Sequence, residues 1–202
     1  MAISLKRLQR LTELGIEGLN WYDQAYDEID LVCSCQRWDQ VRFAQVLALC
    51  SPRVTVTRCV RNALMYCEHR ELFDNTLSNV KRSLTHYERT GELRGQKVYA
   101  FSTALLGCES AIVLDTWIAK AMRIPQQSFQ TQEGRLASEQ AIRTIAKRIE
   151  ECPRDTQAAL WCGTLIDRGL QPRPLPVLRE HLNFILHSRQ FPKGGKIRDM
   201  TI

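Results

Sequence analysis

Leu136-Ala137-Ser138-Glu139-Gln140-Ala141-Ile142-Arg143-Thr144-Ile145-Ala146-Lys147-Arg148-Ile149 decides the class of the fold. Ala141, Ile142, Ile145, Ala146 and Ile149 recur three and four apart, which places them on one stripe of a helix, with Arg143, Lys147 and Arg148 on the opposite face. The same period holds on both sides. Downstream, Pro153 suits a first helical turn, where a missing amide hydrogen costs nothing, and Ala158, Trp161, Cys162 and Leu165 form the buried stripe. Upstream, helices are expected at Leu5 to Leu14, Asp23 to Cys33, Asp39 to Cys50, Val54 to Cys67, Asn79 to Arg89, Lys97 to Leu106 and Thr116 to Met122. Breaks fall at Gly15, Ser51-Pro52, Gly91, Gly107 and Pro125. No run of alternating β-branched residues competes, so the predicted class is all-α. A proline-rich connector at 171–176 leads to a last helix at about 177–187, and the basic stretch at 191–202 reads as a flexible tail.

With 202 residues, 44% of them hydrophobic and 25% charged, the chain can bury one ordinary core or two small lobes sharing a cleft. The start, Met1-Ala2-Ile3-Ser4-Leu5-Lys6-Arg7-Leu8, mixes basic and apolar residues, so neither a targeting segment nor a membrane span is expected, and the cytoplasm is the expected location. The net charge is only +6, but between Arg53 and Lys97 nine Lys or Arg face five Asp or Glu. That local excess favours a polyanionic partner, while charge alone is met more often by an ordinary solvated basic surface. Most of the eight cysteines lie in apolar periodic segments and read as small buried hydrophobes. Cys33, Cys35, Cys59, Cys67 and His69 lack the usual zinc-knuckle spacing, so no metal is predicted.

The chemistry-bearing pair is Lys97 and Asp115, eighteen residues apart, in Gly95-Gln96-Lys97-Val98 and Leu114-Asp115-Thr116-Trp117 and expected at the two ends of one buried apolar element. An amine nucleophile for a sugar carbon, with a carboxylate beside it, is the equipment of base excision. Each residue also suits a plainer role. Asp115 is placed to cap the helix that follows, and Lys97, at a helix start, to meet phosphate or solvent. Arg53 after Pro52 can satisfy the end of the preceding helix, and Trp21, Trp117 and Trp161 sit at apolar helical positions that suit a core.

Four stretches in order resemble the helix-hairpin-helix (HhH-GPD) glycosylase superfamily of the endonuclease III type. They are Phe43 to Arg53, Leu77-Ser78-Asn79-Val80-Lys81, Gly95-Gln96-Lys97 and Leu114-Asp115-Thr116, and with the helices after them the likeness spans residues 39 to 168. Asn20-Trp21-Tyr22, Lys97-Val98-Tyr99-Ala100-Phe101 and Gln157-Ala158-Ala159-Leu160-Trp161 are similar to small uncharacterised relatives from phages and mobile elements.

The resemblance implies a two-lobed helical domain at 1–190, with a central lobe at 40–122, a second lobe of 1–38 plus 126–187, and a cleft between them. It implies DNA glycosylase or abasic-site lyase activity on damaged or modified double-stranded DNA, by base flipping and a Schiff base on Lys97 assisted by Asp115. Such chemistry needs a neutral amine, which a buried site favours. Arg53 would be the wedge that fills the vacated stack, and Arg58, Lys81, Arg94, Gly95 and Gln96 the DNA contacts. Where the family hairpin reads Leu-Pro-Gly-Val-Gly, Leu93-Arg94-Gly95 keeps only the last glycine, so backbone gripping of phosphate is weakened and charge must substitute. The four-cysteine loop for an iron–sulfur cluster is missing, so no cofactor is expected, and a monomer is. The alternative is a non-catalytic DNA-binding protein on the same scaffold.

Overall fold

The computed structural model describes residues 3–172 together with Leu178, His181 and Leu182. Its helices are α1 (Leu5–Leu14), α2 (Trp21–Gln36), α3 (Gln40–Cys50), α4 (Val56–His69), α5 (Ser78–Thr90), α6 (Gln96–Leu105), α7 (Thr116–Met122), α8 (Gln132–Ile149) and α9 (Pro153–Ile166). Single 3₁₀ turns at Ile16–Gly18 and Gln126–Gln130 join some of them, and no strand occurs among the described residues. The protein is all-α. Leu178, His181 and Leu182 are helical and buried; the rest of the last expected helix and the basic tail lie outside the described residues.

Local chemistry explains the helix starts. Ser4, Asp39, Thr55 and Thr131 each accept a hydrogen bond from the backbone amide three residues on, satisfying one of the donors a helix start leaves free. Thr131 starts α8 a full turn before Leu136, so that helix is longer than its apolar stripe.

Two hydrophobic clusters share the interior. The first gathers the inner faces of α2 to α6, with Phe43, Leu47, Leu64 and Leu84 at its centre and Leu178 and Leu182 against it. The second joins Leu8 and Leu11 of α1 to Ile118 of α7, Ile142 and Ile145 of α8 and Leu160 of α9. These clusters group α2 with the middle helices and α7 with the outer ones, whereas the sequence reading places 1–38 outside and 116–122 inside. The difference is one of packing: Tyr22, Ala25, Ile29, Val32 and Cys33 on α2 find their apolar partners on α3 and α6.

Between the clusters runs α9, buried along most of its length, with Ala158 in the first and Leu160 in the second. A helix whose small and apolar residues cover nearly every face belongs at the centre of a fold. Arg154, 4% exposed, secures its first turn by pairing with Asp155 at 2.7 Å and with Asp23 of α2 at 2.6 Å.

Candidate functional site

The chain reaches the site through a hairpin of helices. Gly91 closes α5 with φ 70°, and Gly95 opens α6 with φ 93°, leaving a five-residue turn between two helices. Both angles fall where a side chain would be strained, which is why glycine stands at each end of the turn. Lys97 is the second residue of α6 and half-buried. The segment after it is not one element as expected: α6 stops at Leu105, and residues 106–115 form an irregular connection before α7. Gly107, at φ 88°, carries the chain away from the α6 axis.

That connection ends on Asp115, which caps α7. Its Oδ1 accepts from the amides of Trp117 at 2.8 Å and Ile118 at 2.9 Å, and Oδ2 is not used by the cap. The plainer role is therefore real. It does not exclude chemistry, because the cap engages one oxygen of a carboxylate that also lines the cavity. Burial raises the Asp115 carboxyl above the ordinary aspartate range, opposed by the charge of Lys97, the two cap amides and Lys120. A carboxylate tuned upward beside a cation is a recurrent feature of acid–base sites.

Lys97 and Asp115 line one cavity of about 290 Å³, between the two clusters. They interact through space without forming an ion pair; the ion pairs among the described residues lie elsewhere. Trp21, Trp117 and Trp161, expected in the core, are each half-buried and line the same cavity. Trp21 and Trp161 lie 6.2 Å apart at their ring centroids, and Lys120 sits 3.8 Å over the ring of Trp117. Trp21 also packs against the first cluster and Trp161 against the second, so both serve the core and the cavity wall.

Residues that the sequence did not single out for chemistry complete the wall. Tyr22 donates its hydroxyl hydrogen to Gln157 Oε1 at 3.1 Å. Burial, then the nearby charge of Asp115, holds that phenol far above its ordinary range against the opposing charge of Arg154, so it remains a donor. Cys59 also lines the cavity, but burial pushes its thiol up to about 12 against the pull of Lys97, and its Sγ donates to the carbonyl of Leu47 at 3.1 Å. It is therefore a packed thiol rather than a nucleophile. The spacing of Gln157 and Trp161, four apart on α9, is the signal that places them on one face.

Of the expected DNA contacts, Arg53 alone lines the cavity, at the turn between α3 and α4. Its φ is 59°; the other non-glycine residues with positive φ, Arg37, Arg70, Arg123 and Glu150, all terminate helices, and Arg53 does not. An exposed arginine held in the left-handed region at a cavity rim is an unusual backbone state that a site can require. Arg58 is partly used by the fold, donating Nη2 to the carbonyl of Asn75 at 2.8 Å. Gln96 accepts a hydrogen bond from Arg135 of α8, and Gly95 is the cap of α6. Lys81 and Arg94 lie elsewhere, in a groove of about 340 Å³ formed with Arg82, Thr85, His86 and Arg89. The groove arises because Val80, Leu84 and Tyr87 turn α5 inward and leave its cations on the outer face.

One stability prediction follows from Asp115. A carboxyl whose folded pKa is raised adds stability below its unfolded value, and that stability is lost as pH rises through the folded pKa. At neutral pH the ionised form is thus a net cost. Asparagine caps as well as aspartate without the charge. Asp115→Asn is expected to raise Tm at pH 7 by about 2–4 °C, the scale of roughly 1 kcal/mol for a chain of this size, with the gain shrinking as pH is lowered. Thermal melts of both proteins across pH check this; a lower Tm for the variant at pH 7 contradicts it.

Among the described residues no three His, Cys, Asp or Glu converge as a metal-holding group, and no helix is long and apolar enough to cross a membrane. No curated protein and no solved structure matches the chain significantly. Residues 12–168, which include every residue named on the cavity wall, match the model of a family of unknown function (DUF7178), and the chain belongs to that family.

Proposed function

We propose that this protein is a DNA glycosylase with abasic-site lyase activity, on a two-lobed helix-hairpin-helix scaffold whose hairpin is the α5–α6 turn. The observation that carries this is the convergence of the Lys97 amine and the Asp115 carboxylate on one aromatic-walled cavity. At about 290 Å³ it stands near the lower end of the roughly 300–1,000 Å³ typical of ligand pockets, which suits one extruded nucleoside. Duplex DNA would lie across the cavity mouth with Arg53 in the gap left by the flipped nucleotide, where unstacking costs on the order of a few kcal/mol.

In the lyase step the Lys97 amine adds to C1′ of the ring-opened abasic sugar. Loss of water then forms the Schiff base. Removal of the C2′ proton expels the 3′-phosphate and breaks the strand. Asp115, oriented by its cap, stabilises positive charge on the sugar and accepts a proton. Borohydride reduction of protein mixed with a duplex bearing one abasic site tests this: a covalent adduct is expected, and its absence contradicts the lyase.

The α5 groove supports the polyanionic partner, because its cations stand on one exposed helix face next to the hairpin. Replacing Lys81 and Arg89 together by alanine is expected to weaken duplex binding about tenfold at low salt and to reduce the slope of log K against log salt by about 2. An unchanged slope removes the groove from the interface. A second possibility, DNA binding without catalysis, is favoured by the packed Leu93 in the hairpin turn, a side chain where the resembled family has a glycine. Salt-sensitive binding with no borohydride adduct selects it.

A further inference from the structure

We infer that Gln157 is the specificity-determining donor of the cavity, and that the occupant it selects is a flat neutral heterocycle presenting a carbonyl acceptor on its edge. The identity of that heterocycle as a flipped base rests on the proposed function; the hydrogen-bond selection does not. Gln157 is 3% exposed and on the wall of the cavity. Its Oε1 is occupied by the Tyr22 hydroxyl at 3.1 Å, and burial beside Asp115 keeps that hydroxyl protonated. The amide is thereby held in one orientation. Its Nε2 meets no hydrogen-bond partner among the described residues, and it is not sealed in the packing as the unpartnered Nδ2 of Asn62 is. A buried side chain with one end pinned and its donor end open to an aromatic-walled space is built for an acceptor.

Gln157 and Trp161 lie four apart on one face of α9, so an aromatic surface stands beside the amide. Lys97 and Asp115 reach the same cavity from α6 and the start of α7, with Asp115 close enough to Tyr22 for its charge to act on the phenol. An occupant without an acceptor would cover Nε2 and leave it unpaired, which discriminates more strongly than the loss of an added contact.

Tryptophan fluorescence titration with free thymine and with 2,4-difluorotoluene, its near-isostere with poor acceptors, tests the inference on the full chain. Wild type should bind thymine at least about tenfold more tightly than the isostere. Gln157→Leu, which removes the donor, should bind the two within about twofold. Equal binding by wild type, no binding of thymine, or a preference that survives in Gln157→Leu overturns the inference. The abasic duplex has no base to select, so wild type should form the borohydride adduct whether or not it prefers thymine. A retained adduct without thymine preference in wild type rejects the role of Gln157 alone, and thymine preference without any adduct rejects the lyase alone.

Discussion

Lys97→Ala is expected to abolish the borohydride adduct with an abasic duplex, lowering its formation at least about a thousandfold, while duplex affinity stays within about threefold. Among the described residues Lys97 is the one lysine on the cavity wall, and the guanidinium of Arg53 cannot replace an amine in a Schiff base. Binding should persist because the α5 cations and Arg53 are untouched. Folding should persist as well, since Lys97 is half-buried and takes part in none of the ion pairs that tie the helices together. The substitution also removes the largest influence that lowers the Asp115 carboxyl, so that group moves further upward. An adduct formed at the wild-type rate by Lys97→Ala would assign the covalent step to another amine. Loss of the adduct together with loss of salt-dependent binding would place Lys97 in phosphate contact instead.

Gly163→Ala should cost the fold about 3 kcal/mol or more, a fall in Tm of roughly 6 °C or beyond. A Cβ at Gly163 would lie 1.7 Å from the carbonyl oxygen of Leu11 and 3.0 Å from the amide nitrogen of Gly15. Those atoms are backbone and cannot swing aside. Gly15 answers from the other helix, where a Cβ would stand 2.2 Å from the carbonyl of Ala159. The end of α1 and the middle of α9 thus touch main chain to main chain, and overpacking there must separate the helices rather than repack side chains. Because α9 also carries Gln157 and Trp161, the same variant should loosen the cavity. Denaturant midpoints of wild type and variant check the loss. A midpoint within about 0.3 kcal/mol of wild type would mean that α1 and α9 do not meet this closely.

Several of the helix limits follow from local chemistry: α1, α7 and α9 begin where Ser4, Asp115 and Pro153 stand, and α5 and α6 part at Gly91 and Gly95. Other features depend on distant neighbours. The three tryptophans resemble core residues in sequence because an apolar helical position does not say whether the space it faces is filled. Tyr22 and Gln157, 135 positions apart, form one hydrogen bond only because α2 and α9 cross. Lys81 and Arg94 read as companions of Lys97 along the chain, yet they lie in a groove of their own, since the side of α5 that carries Lys81 points away from the first cluster and Arg94 is exposed in the turn that follows.

The sequence by itself determined the all-α class, through a period of three and four that no strand can satisfy, and it determined Lys97 and Asp115 as the pair to test. Only the tertiary structure decided that the two share a cavity, that α9 runs between the two apolar clusters, and that Gln157 offers its amide donor to that space. Periodicity and capping act over a few residues and can be read locally, whereas a cavity is the space that remains when distant faces pack, and its walls are set by helices that do not adjoin in the chain.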